Sequence, residues 1–196
     1  AGIGHLHSNA DKDGIFRSEP LVVDYFGYLV PSLAVTVSAK SLGITPKEMR
    51  VHYGQGLQLG NLIIETGPHL AMRTHFYQPD ASRQPFTVDS FFDVVSGKVA
   101  AEKYRDKIVL IGPTAAGVVA PMHTPISAST PPVMVLAHNV SSLLQRDFIA
   151  SPGWGELATL AGLVIVSLYV TVLLPRLASV PSAVVSTALL ILLIAG

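Results

Sequence analysis

The chain has 196 residues, of which 49% are hydrophobic and only 13% charged, with thirteen basic residues balanced by thirteen acidic ones and no cysteine. A soluble domain of this length is about one quarter charged, so part of the chain is made for an apolar environment. The zero net charge excludes the basic field that nucleic-acid binding requires.

From the N-terminus, GIGHLHS and IFRSEPLVVDYF read as strands around a turn at Asp13-Gly14, a pair that readily adopts positive backbone angles. Pro31 then opens a helix, SLAVTVSAKSL, that stops at Gly43, with proline early and glycine past the end. MRVHY, LQLGNLIIET and AMRTHFY are β-rich. VDSFFDVVSG predicts a short helix with Phe91, Phe92, Val94 and Val95 on its apolar side. KIVLI predicts a buried strand, followed by a Pro-rich loop over 112–132 and a helix around HNVSSLLQR. Strands and helices mix without a steady βαβ rhythm. The expected fold class is therefore α/β or α+β, a mixed β-sheet sandwich with helices, followed by transmembrane α-helices.

The apolar excess lies after Trp154. LATLAGLVIVSLYVTVLL, over 157–174, is an uncharged run close to the roughly 20 residues a helix needs to cross a bilayer core. LASVPSAVVSTALLILLIAG follows to the last residue as a second, truncated run. The expected organisation is an extracytoplasmic domain over 1–153, a first transmembrane helix over 154–174, a short cytoplasmic loop over 175–180 and a second helix over 181–196. Trp154 is expected as an interfacial anchor, and Arg176, in the tight link, as the positive charge that marks the cytoplasmic side. Residues 1–153 then lie outside, where a cysteine-free chain avoids unwanted disulfides. Of the charged residues only Glu156 and Arg176 lie beyond residue 153, so this domain is itself electrically balanced.

Four chemistries have candidate residues. KIVLIGPTAAGV, over 107–118, has the strand-then-glycine form of a phosphate loop. A Walker loop needs Lys and Ser or Thr after its second glycine, yet Val118 and Val119 follow Gly117, and Pro113 removes an N–H from where phosphate would want it. Asn9, Asp11, Asp13 and Gly14 match the start of an EF-hand calcium loop, but Pro20 stands where the bidentate Glu belongs and Glu19 misses that register by one. His5 and His7 alternate on one side of a strand and could form a metal site with His123 or His138, although polar residues on a sheet face explain them as well. A hydrolase lacks the G-x-S-x-G elbow that would present its nucleophile. No catalytic residue, metal or cofactor is expected.

Several blocks in order, GHLHSNADKDGIFRSEPLVVDYFGYLVPSLAVTVSAKSLG, PFTVDSFFDVVSG, KIVLIGPTAAGV, the HTP at 123–125 and HNVSSLLQRDFI, resemble the second type of CHASE domain, the cyclase- and histidine-kinase-associated sensory extracellular domains. Gly4, Asp11, Asp13, Gly14, Arg17 and Pro20 fit the family's G-x-x-x…D-x-D-G-x-x-R…P pattern. Pro31 and Ser32 fit its helix start, Gly112, Thr114, Ala115 and Gly117 its G-x-T-A-x-G loop, Thr124 and Pro125 its T-P, and Asn139 its asparagine in the last helix. The chain departs where the family often has Glu and His before that asparagine, since Val135 and Ala137 stand there. It also starts inside the domain, as expected of a fragment lacking the family's front strands, which would leave an apolar sheet face uncovered.

The resemblance implies a sensory input domain of a bacterial transmembrane receptor, coupled to a cytoplasmic nucleotide cyclase or protein kinase absent from this chain. The inner membrane, an unknown stimulus or small ligand, and a homodimer partner are the implied partners. The loop over 112–132 is the expected sensing surface, with Thr114, His123 and Thr124 as candidate ligand-binding residues, because loops of that length are uncommon unless functional. The alternative is a membrane-anchored dimerisation or partner-binding domain without a small ligand.

Overall fold

A computed structural model describes residues 2–52, 56–67, 69–79, 84–115, 117–149, 155–176 and 186–187. The chain divides into two compact units, Ala1–Ser151 and Pro152–Gly196. The first is an α+β unit of small antiparallel sheets.

A turn at 11–15 leads into the first strand. Gly14, at φ +80°, donates its N–H to the Asp11 carbonyl at 2.9 Å. Strand β1 (Ser18–Pro20) pairs antiparallel with β7 (Ala71–Arg73). Strands β2 (Val22–Tyr25) and β3 (Tyr28–Pro31) form a hairpin. Its two loop residues, Phe26 and Gly27, both have positive φ, the backbone a two-residue turn needs to match strand twist. Helix α1 (Leu33–Ser41) follows. The Ser32 hydroxyl oxygen accepts the Val35 N–H at 3.2 Å as its N-cap, and Gly43 at φ +69° releases the chain beyond its end. Ala34, Val35, Ser38 and Ala39 are the buried face.

Strands β4 (Met49–His52), β5 (Gly56–Leu59) and β6 (Leu62–Glu65) form an antiparallel sheet in that order. Along β6, Leu62 and Ile64 are buried while Ile63 and Glu65 are exposed, the period of two expected of a half-covered strand. Helix α2 is Phe91–Val95, strands β8 (Met122–Thr124) and β9 (Ser127–Thr130) form a hairpin, and helix α3 is Pro132–Gln145. Arg146 closes α3 in the left-handed conformation at φ 59°. α3 packs on α1, and Leu136, Val140 and Leu143 join Val35, Leu57 and Ile64 in one core.

Several expectations are corrected. GIGHLHS forms no strand; it makes one parallel bridge, His5 to Ser32, where the His5 N–H donates to the Pro31 carbonyl at 3.0 Å and the Leu33 N–H to the His5 carbonyl at 2.8 Å. The ladders are antiparallel rather than a mixed sheet. KIVLI is not a buried strand, because no strand among the described residues lies beside it. Leu110 leans on the core while Ile111 is 77% exposed. The loop over 112–132 holds the β8–β9 hairpin. Phe91, Phe92 and Val95 of α2 face solvent, with Phe92 71% exposed.

In the second unit, helix α4 (Gly155–Leu168) continues into a π-helical turn, Tyr169–Leu173, and a 3-10 turn, Leu174–Arg176. Among the described residues no helix is long and apolar enough to cross a membrane. The Tyr169 and Ser186 hydroxyls meet at 2.8 Å. Trp154, the link over 177–180 and the second apolar run apart from Ser186 and Thr187 lie outside the described residues.

Candidate functional site

Polar side chains gather where β1, β7, the N-cap of α1 and α3 meet. Alternation along β1 sends Ser18 and Pro20 to one side, where with His7, Asn9, Val23 and His69 they line a cavity of about 350 Å³, and sends Glu19 to the other, into the interior. Glu19 is 3% exposed. Its carboxylate accepts the Ser8 hydroxyl at 3.3 Å and has Ser32 and Asn139 as neighbours whose polar side chains favour the charged form. Burial, only partly countered by these donors, pushes its pKa up to about 7.

Asn139 extends the network. Its Oδ1 accepts the Thr74 hydroxyl at 2.6 Å, and the Thr74 N–H donates to the Arg17 carbonyl at 3.0 Å. One turn along α3, Ser142 Oγ accepts the His75 N–H at 3.1 Å and donates to the His75 carbonyl at 3.2 Å. These i, i+3 positions stitch one face of the helix to the segment leaving β7, supplying the partners that its unpaired backbone requires.

His138 completes this face. It is 1% exposed, and its Nδ1 accepts the Tyr77 N–H at 3.3 Å. Its ring stacks on Tyr77 at 5.7 Å and meets Phe86 edge-on at 4.9 Å, with Phe76 at 5.2 Å. Burial first, and the nearby His75 second, pull its pKa down to about 4, so this ring is neutral at physiological pH. The Tyr77 hydroxyl donates to Asp147 Oδ2 at 2.6 Å, and burial raises the Tyr77 pKa.

The residues singled out in sequence fall in different places. Thr114 and His123 are exposed. Thr124 is buried, its hydroxyl donating to the Ser127 carbonyl at 3.1 Å and meeting the Thr130 hydroxyl at 2.9 Å. No hydrogen bond among the described residues joins these three to one another. The His123 carbonyl accepts the Phe16 N–H at 2.7 Å, which ties the β8–β9 hairpin to the approach of β1. Asp11 and Asp13 turn their carboxylates onto Arg17, at 2.7 Å for Asp11 and at 2.9 and 2.7 Å for Asp13. His5 Nδ1 accepts the His7 N–H at 3.1 Å, and its Nε2 is buried without a partner. Among the described residues no three His, Asp or Glu side chains converge to hold a metal.

Sequence reasoning weighed Glu19 only as a calcium ligand out of register. The signal for its real setting was a carboxylate one residue ahead of the apolar run PLVV, on the opposite side of the strand from Ser18 and Pro20. Thr74 and Ser142 left no comparable trace.

The CHASE2 domain family matches residues 1–171, and the chain belongs to that family. CHASE2 domains are extracellular sensory domains of signalling receptors. No curated protein and no solved structure matches the chain.

Proposed function

We propose that this chain is the extracytoplasmic sensory input domain of a bacterial transmembrane receptor, passing its signal to a cytoplasmic nucleotide cyclase or protein kinase. The family match over 1–171 carries the reading, since it runs through the whole first unit and into the apolar helical segment that follows. On this reading the apolar runs after residue 153 lie in the inner membrane, with Arg176 at the cytoplasmic side, and residues 1–153 lie in the periplasm. A signal needs an input that favours one of two arrangements of the domain. The buried polar cluster around Glu19 and Asn139 supports such a device, because it sits where β1, the segment after β7, the N-cap of α1 and α3 meet.

Two measurements test the reading. Alkaline phosphatase fused after residue 150 is expected to be active, and fused after Arg176 inactive; the reverse pattern refutes the topology. The chain joined to a cyclase catalytic domain in cyclase-deficient bacteria is expected to change cyclic nucleotide output with the external medium. Output indifferent to every medium refutes sensing. The exposed Phe91, Phe92 and Val95 of α2 favour a second reading, a dimerisation or partner-binding domain without a small ligand.

A further inference from the structure

We propose that the cavity on the outer side of β1 is the ligand site of this sensor, and that it takes a small monocarboxylate with a short apolar tail. The inference rests on the sensory reading and names the chemistry of its stimulus.

The cavity draws on stretches of chain far apart in sequence. His7 and Asn9 come from the N-terminal segment, Ser18 from β1 and His69 from the turn ahead of β7, and these are its polar lining. Pro20, Val22, Val23 and Ala71 supply the apolar lining, with Pro20 and Val22 buried and the other two half-buried. At about 350 Å³ the cavity lies at the small end of ligand pockets, with room for roughly ten water-sized groups. None of the four polar side chains hydrogen-bonds another group among the described residues. Ser18 is half-buried and the other three are exposed, so water serves them until a guest arrives.

The turn that carries His69 is held in a strained form. Leu70 has φ 53° and is buried, with its N–H on the Gly67 carbonyl at 3.1 Å and its own carbonyl accepting the Leu21 N–H at 2.9 Å. Left-handed backbone at a bulky residue is unfavourable and persists where surrounding contacts enforce it, commonly at ligand clamps. Here the enforced turn sets His69 at the cavity.

The lining selects the ligand. All four polar side chains can donate a hydrogen bond, and no Asp or Glu lines the cavity. A carboxylate, which only accepts and offers two oxygens to several donors, matches such a set. An ammonium would find no anionic partner. A phosphate dianion would need fixed cations, yet no Lys or Arg lines the cavity, and Arg17 beside Ser18 is held by Asp11 and Asp13. The apolar lining takes the tail. Because Ser18 and Pro20 alternate with Glu19, a ligand here grips the strand whose other side faces the buried polar cluster, and ties it to the N-terminal segment, β2 and the turn ahead of β7.

The test uses the whole chain in lipid nanodiscs with 15N-labelled histidine, followed by NMR. Benzoate and hexanoate are the probes, benzyl alcohol and benzylamine the uncharged and cationic counterparts, and empty nanodiscs correct for partition into lipid. At least one probe is expected to bind saturably and to shift the His7 and His69 ring signals, assigned by their loss in His7→Ala and His69→Ala. The alcohol and the amine should bind about tenfold more weakly than benzoate, and each histidine variant should lose about tenfold in affinity, the scale of one hydrogen bond to a charged group. Asn9→Asp, at an exposed position, puts an acceptor-only charge in the lining and should weaken binding by at least as much. In the cyclase fusion, the bound probe in the external medium should change output, and Asn9→Asp should remove that response. If neither probe moves the histidine signals, or benzoate binds no better than benzyl alcohol, the inference is overturned. Binding that leaves output unchanged overturns the carboxylate as stimulus. Output that ignores both probes but follows another medium does the same and leaves the sensory reading standing. Output that follows nothing removes both.

Discussion

Thr74 and Asn139 are separated by 65 positions in the chain, yet the threonine hydroxyl lies 2.6 Å from the asparagine Oδ1. Both residues are buried, so neither polar group has water as an alternative partner. Replacing Asn139 by Ala leaves the buried Thr74 hydroxyl without its partner, and is expected to lower unfolding free energy by about 1–3 kcal/mol. Thr74→Val, close in shape, should cost about 1 kcal/mol. Urea denaturation of the single and double variants checks this, with the double expected to cost less than the sum of the singles.

Two buried groups give the stability of the fold opposite pH slopes. Glu19, raised from 4.5 to about 7, contributes fully below 4.5 and loses that contribution as pH rises through 7. His138, lowered from 6.5 to about 4, contributes fully above 6.5 and loses that contribution as pH falls through 4. Between about 4.5 and 6.5 the slopes oppose each other, so the wild-type melting temperature should vary little there. Glu19→Gln removes the falling slope, and its stability should rise with pH in that window by up to about 1.4 kcal/mol per pH unit. Calorimetric melting at a series of pH values distinguishes the two curves.

At Gly112 the chain passes so close to α3 that an added Cβ would stand 2.7 Å from the Val133 Cβ. Gly112→Ala is therefore expected to destabilise by about 1–3 kcal/mol through overpacking. Val133→Ala removes the methyls at 2.9 and 3.4 Å but keeps the Cβ at 2.7 Å, so the double variant should recover only part of that loss. Gly4 gives the contrasting case: its added Cβ would meet the Leu33 backbone at 2.6 Å, so no side-chain truncation should rescue Gly4→Ala.

Arg17 holds the Asp13 carboxyl at about 2, chiefly through their side-chain hydrogen bonds. What this pair adds to stability is present above the ordinary value of 3.8 and is lost as pH falls through about 2. Because both side chains are solvated, Arg17→Ala should change melting little, yet NMR titration should show Asp13 moving back up toward 3.8.

The elements written in local chemistry were legible in sequence. The opening of α1 just after Pro31, the stop at Gly43, the Asp13-Gly14 turn and the β-rich stretch that holds β6 each depend on neighbours a few residues away. The α+β class followed from their mixture. KIVLI was misjudged because its composition is that of a buried strand, while pairing requires a second strand that composition does not supply. Helix α2 was legible as a helix, but its setting was not: a side with Phe91, Phe92 and Val95 need not find a core to cover it. The site was legible only at Asn139, through the family resemblance. Glu19 and Thr74 gain their character from contacts across β1, the segment after β7 and α3, and no local pattern records such contacts.

The bond between the Tyr169 and Ser186 hydroxyls sets a register. A slide of one helical turn, about 5.4 Å, between the segments that carry them would pull the two oxygens out of reach of one another.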